Sequence, residues 1–122
     1  MGTWGTGNFD NDEALDAYAE VVDDLLDRID EGLGEGQVHF EDVGAEIALV
    51  EVLAALGERC REVSVPRAKV ERWKERVLSA YDAQIDDLGA TESFKAERRR
   101  VLEATFDRLL GALASPPKAT GP

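Results

Sequence analysis

Apolar residues recur at every third or fourth position through successive stretches of the chain, and glycine or proline separates each stretch from the next. Leu15, Tyr18, Val22, Leu25 and Ile29 form one such stripe. Val70, Trp73, Val77, Tyr81, Ile85 and Leu88 form another, and Phe94, Val101, Leu102, Phe106, Leu109, Leu110 and Leu113 a third. That step is the period of an α-helix with one face turned to a core. No two-residue alternation competes with it, so a sheet is not expected.

The caps set the expected boundaries. Helix one starts near Asn11, capped by Asp10 or Asn11, and Asp12, Glu13 and Asp16 suit its positive N-terminus. Asp10 and Glu13 also have capping-box spacing. Gly32, Gly34 and Gly36 should end this helix near Asp30, and Leu33–Phe40 reads as a loop. Helix two should run from about Asp42 to Leu56 and stop at Gly57 or continue toward Cys60. It is apolar on nearly every side (Val43, Ala45, Ile47, Ala48, Leu49, Val50, Val52 to Leu56), which predicts a buried helix with Ile47, Val50 and Leu53 among the least exposed residues. Pro66 opens helix three and Gly89 closes it. Thr91 or Ser93 caps helix four. The reading is an all-α, four-helix bundle-like domain over residues 1–114, with a Gly-rich N-terminal loop and helix two at the centre. Short connections should place consecutive helices side by side. Residues 115–122, with three prolines and a glycine, read as a mobile tail.

The 122 residues suffice for one modest core. The longest apolar run, Ala45–Leu56, contains Glu46 and Glu51 and is too short to span a membrane. A lone cysteine, Cys60, excludes an internal disulfide. Met1–Phe9 lacks the positive and apolar regions of a secretory signal, so a cytoplasmic location is expected. The net charge is −12, whereas a direct nucleic-acid binder would be basic. Residues 1–65 carry 17 acidic and three basic side chains, and residues 66–122 carry nine acidic and 11 basic ones. Either the acidic half pairs with the basic half inside the domain, or it faces a basic partner.

No catalytic constellation emerges, and no catalytic residue, metal site or cofactor is assigned. His39 is the only histidine and no cysteine pair exists, so the usual zinc ligand sets cannot be assembled. The serines lack a nucleophile elbow. Gly5-Thr6-Gly7 is only a fragment of a phosphate loop, since Asp10 stands where a third glycine belongs and no strand precedes it. The opening residues fit the loose N-myristoylation pattern, with bulky Trp4 inside it. Asp16, Glu20, Asp23 and Asp27 fall on one face of helix one, as a solvated face, as partners of Arg72, Arg76 or Arg98–Arg100, or as a docking surface. Glu51, on a helix expected to be buried, should be hydrogen-bonded in a network with the N-terminal loop, or act as a general acid or base. Trp4 and Phe9 are expected to plug into the bundle.

Trp4-Gly5, Phe9, Asn11-Asp12 and Ala14-Leu15-Asp16 form a pattern of two aromatics and a helix cap at fixed offsets. It resembles the opening of the family called Domain of Unknown Function 4259. Ala45–Leu56 with its embedded Glu51 is similar to that family's middle helix. The chain has Asn8 where that family is expected to have proline, and Tyr18 one place later than the expected aromatic. The resemblance implies a bacterial, intracellular protein and supplies no catalytic residue.

These readings converge on a small acidic helical protein that binds a basic protein partner through helix one, as a regulatory or toxin-neutralising module. Two alternatives stand beside it: an enzyme or metal-dependent protein using Glu51 with the helix-one carboxylates, and a nucleic-acid mimic. Neither direct nucleic-acid binding nor membrane insertion is expected, and no feature specifies an oligomeric state.

Overall fold

A computed structural model describes residues 3–60 and 65–114; the tail expected at 115–122 lies outside the described residues. Its helices are α1 (Asp12–Leu33), α2 (Gly44–Arg59), α3 (Arg67–Gln84) and α4 (Glu92–Ala114). Two short 3-10 turns complete the order, Phe40–Asp42 before α2 and Ile85–Leu88 after α3. No strand forms among the described residues; Thr3 and Asn11 make one isolated antiparallel bridge. The all-α expectation holds.

The stripes read from the sequence face one common core. Tyr18, Val22 and Ile29 of α1, Val70, Trp73, Val77 and Tyr81 of α3, and Leu102, Phe106 and Leu109 of α4 are buried. Ile47, Val50 and Leu53 are buried as expected. Each large side chain taken fully out of water contributes roughly 1.5–3 kcal/mol.

Helix two is not central. α1 packs on α2, α2 on α4, α4 on α3, and α3 on the end of α1. The helices thus form a ring in which the consecutive pair α2 and α3 stands across a diagonal. The seven residues between them, 60–66, are enough chain to reach about 20 Å. Nor is α2 buried all round, since Ala45, Ala48, Glu51, Val52 and Ala55 are exposed. Most of that outer face is alanine, whose small side chain gains little from burial; an apolar composition therefore overstated the buried surface.

Helix ends follow local chemistry. Asn11 caps α1, its Oδ1 accepting the Ala14 N–H at 2.8 Å. Thr91 caps α4 by accepting the Phe94 N–H at 3.2 Å. α2 passes through Gly57 and ends at Arg59. α1 runs on to Leu33, three residues beyond the expected end. Gly34 is then required by close approach: a Cβ there would run into the Asp30 carboxylate and lie 2.7 Å from the Asp30 carbonyl oxygen.

That approach frees Asp30 to hold α3. The Trp73 indole Nε1–H donates to Asp30 Oδ1 at 2.9 Å, and Lys69 Nζ reaches Oδ2 at 3.3 Å. Beyond it, Arg76 donates to the Leu33 carbonyl at 2.6 Å and to the Gly36 carbonyl. Gln84 donates to the Val38 carbonyl at 2.9 Å and accepts the Phe40 N–H at 2.7 Å. The loop after α1 is therefore satisfied by side chains of α3, not by a strand partner.

The Trp73 hydrogen bond, then the Lys69 bond and charge, hold the Asp30 carboxyl below its ordinary range. A lowered folded-state value means stability that is present above the unfolded-state pKa and lost as pH falls through the folded one. Asp30→Ala should cost about 1–3 kcal/mol by leaving the indole N–H of a buried tryptophan unpaired, and Asp30→Asn less. In urea denaturation, the gap between wild type and Asp30→Asn should narrow below about pH 4. A gap independent of pH would show that the charge is not what stabilises.

Candidate functional site

Three surface features carry the residues singled out by sequence: the N-terminal loop, the outer face of α1, and the outer face of α2.

The loop closes on Asp10. The Trp4 N–H donates to the Asp10 carbonyl at 2.9 Å, the Gly7 N–H to Asp10 Oδ2 at 2.9 Å, and the Asp10 N–H to the Gly7 carbonyl at 3.1 Å. A Cβ at Gly5 would sit 2.5 Å from that same Oδ2, so glycine lets the chain pass the carboxylate. Asp10 is thereby spent on the turn and not on a capping box; Asn11 caps instead, and Asp12 opens the first turn of α1. Phe9 packs against the core, edge-on to Tyr18 at 5.6 Å, with the Arg59 guanidinium 5.3 Å from its ring centre. Trp4 does not plug into the bundle, being 55% exposed. The turn holds its shape through backbone and carboxylate bonds, so the loop needs only one aromatic anchor.

On α1, Asp16, Glu20, Asp23 and Asp27 are all exposed. Among the described residues none of the four has an ion-pair or hydrogen-bond partner. These four form no internal pair: Arg72 is exposed and its charge acts on Asp30, and the other candidate cations of α3 and α4 are engaged elsewhere. Lys69 takes Asp30, Lys74 takes Asp107, and Lys95 takes Asp86 and Glu92. Arg99 grips Asp82 through two bonds of 2.9 Å, which holds that carboxyl below its usual range, and also reaches Glu103. Arg100 pairs with Glu97, and the Arg98 guanidinium lies 5.8 Å from the centre of the Phe40 ring. Arg76 does reach the end of α1, but it is drawn to carbonyl oxygens there.

Glu51 is exposed, against the expectation of burial. It makes no hydrogen bond among the described residues and does not reach the N-terminal loop. Arg108 is near enough to feel its charge, and that guanidinium is gripped by Glu58 through two bonds of 2.7 Å. The α1 carboxylates do not converge on it: among the described residues no three His, Cys, Asp or Glu side chains are grouped to hold a metal ion. Glu51 is therefore not a buried acid or base. His39 is exposed, and Cys60 is buried with its carbonyl accepting the Tyr18 hydroxyl at 3.0 Å.

One feature was not read from the sequence. Phe40, Glu41, Ile85, Leu88, Ala90, Thr91 and Phe94 line a groove of about 510 Å³ where the two 3-10 turns meet the start of α4. Leu88 and Phe94 were expected in the core, yet they are 45% and 53% exposed. Both stand at the ends of their stripes, where the helices outrun the bundle. Val101, 41% exposed, also departs from the expected inner face of α4, lying one residue off the buried line through Leu102.

A family model described as Domain of unknown function (DUF4259) matches residues 2–113. The chain belongs to this family. Neither a curated protein nor a solved structure matches it. For this DUF4259 member no helix among the described residues is long and apolar enough to cross a membrane.

The two aromatics of the loop should separate on substitution. Trp4→Ala should shift stability by no more than about 0.5 kcal/mol, as for other surface changes. Phe9→Ala should cost on the order of 1–2 kcal/mol, from lost burial and lost ring contact. Thermal melts of the two variants check this, and equal losses would contradict it.

Proposed function

We propose that this DUF4259 member is a protein-binding module whose α1 face docks a basic protein. The observation that carries the reading is the row Asp16, Glu20, Asp23 and Asp27, exposed and unpaired among the described residues while basic side chains on α3 and α4 are held by other acids. Like charges at helical spacing oppose helix formation by roughly 0.2–0.5 kcal/mol per pair. A row kept at that cost suits a role outside the fold. An exposed anionic face steers a cationic partner from a distance and fixes its register on contact.

The test is the fourfold variant Asp16→Asn, Glu20→Gln, Asp23→Asn, Asp27→Asn. Its melting temperature should equal or exceed that of wild type, because repulsion is relieved and no pair is broken. In parallel capture experiments, basic proteins retained by wild type should be lost from the variant, and wild-type retention should weaken as salt rises. A clear fall in melting temperature would assign the row to the fold. Undiminished capture would remove the docking reading.

A further inference from the structure

We propose that the groove between the 3-10 turns and α4 is a second docking site, a slot for a bulky apolar side chain flanked by Lys or Arg in a partner's peptide segment. This site is separate from the α1 face and does not rest on it.

The shape of the slot comes from chain ends. Gln84 fixes the Phe40 backbone from one side, and the Phe40 ring stands edge-on to Tyr81 at 4.9 Å. Ile85 is buried beneath, and Leu88 and Phe94 project beside it half in solvent. The volume lies within the range of about 300–1,000 Å³ typical of ligand pockets. Large apolar side chains left open on a preformed concave surface mark a place where something apolar binds.

Polar chemistry narrows the occupant. Of the two polar side chains in the lining, the Thr91 hydroxyl is engaged in capping α4. That leaves the Glu41 carboxylate, exposed and without a partner among the described residues. Asp42 and Asp87, next to lining residues, are likewise exposed and, among the described residues, unpaired. Lys95 does not offset them, since Asp86 and Glu92 already hold it, and Arg98, whose guanidinium lies 5.8 Å from the centre of the Phe40 ring, sets one cation against three carboxylates. An apolar floor beneath a rim of free carboxylates fits an apolar anchor with positive neighbours. A second copy of this chain is a poor match: each carries a net charge of −12, and its exposed aromatic outside the groove, Trp4, is followed closely by Asp10, Asp12 and Glu13. A small neutral ligand would leave the rim uncompensated.

The probes are the hexapeptide Lys-Lys-Trp-Leu-Lys-Lys and its counterpart with glutamate in place of every lysine, titrated into the isotope-labelled full chain and followed by amide chemical shifts. The lysine peptide should move amides of residues 40–41 and 85–94, and its affinity should fall with salt. Phe94→Ser should weaken it on the order of tenfold, as loss of an aromatic anchor does. Glu41→Lys, at an exposed position that leaves the core intact, should weaken it as well and keeps the test open if Phe94→Ser does not fold. Equal binding of the glutamate peptide would overturn the proposal. So would shifts confined to Asp16–Asp27, an outcome that leaves the α1 reading intact. Sedimentation of the wild type as a dimer that Phe94→Ser or Glu41→Lys dissociates would overturn it in favour of a second copy.

Discussion

The carboxylate of Asp30 is the point from which one end of the molecule is assembled. It accepts the indole N–H of Trp73, a fully buried side chain, and meets Lys69 on its other oxygen. Those two bonds fix the last turn of α1 against the first half of α3, a contact that apolar packing alone would leave free to slide. The chain can leave the helix there only because Gly34 has no Cβ to strike the same carboxylate. From that exit the loop runs along α3, where Arg76 and Gln84 satisfy its carbonyls and the Phe40 N–H. Phe40 is then placed against Tyr81, α2 begins two residues beyond its turn, and one wall of the groove is complete.

This assembly also accounts for the uneven charge of the chain. Much of the basic second half is consumed locally: six of its cations lie on α3 or α4 in pairs with Asp or Glu, most of them on those same helices or the turn between them. Lys69 reaches across to α1 and is met by Asp30, while Arg76 reaches the end of that helix only to bond carbonyl oxygens. The acidic excess of the first half is therefore left at the surface. Exposed pairs contribute little to stability, so beyond the half-buried Asp30 contact the fold has no thermodynamic need to draw α1 and α3 together through charge. Apolar stripes do that work, and the outer carboxylates of α1 are not bound by it.

Much of this was legible in the residue pattern, and the failures share a cause. Periodicity reports which face of a helix turns inward, so the helices and most of the core could be read directly. Caps were readable where a side chain acts within its own turn, as with Asn11 and Thr91. What periodicity does not report is where a helix outruns the body it packs on. Leu88 and Phe94 continue their stripes faithfully but lie past the end of the bundle. Glu51 failed for a related reason: a helix rich in alanine looks apolar on all sides, while small side chains leave its outer face in water. The diagonal placement of α2 and α3 was not legible either, because connection length limits separation without choosing a neighbour.

The same distinction bears on the loop that opens the family pattern. Trp4, Gly5, Phe9, Asn11 and Asp12 look like one motif, yet they divide by physical task. Asn11 and Asp12 start a helix, Gly5 makes room for the Asp10 carboxylate, and Phe9 ties the loop to Tyr18 and Arg59. Each of these is accounted for by the fold. Trp4 is not: its backbone is held by Asp10 while its ring stands in solvent. Holding a large aromatic outside the core exposes apolar surface with no return in packing, just as Leu88 and Phe94 do at the opposite end of α1. The fold is satisfied without these rings and without the α1 carboxylates, and it is in such residues, rather than in the well-packed motif around them, that contact with another molecule would be written.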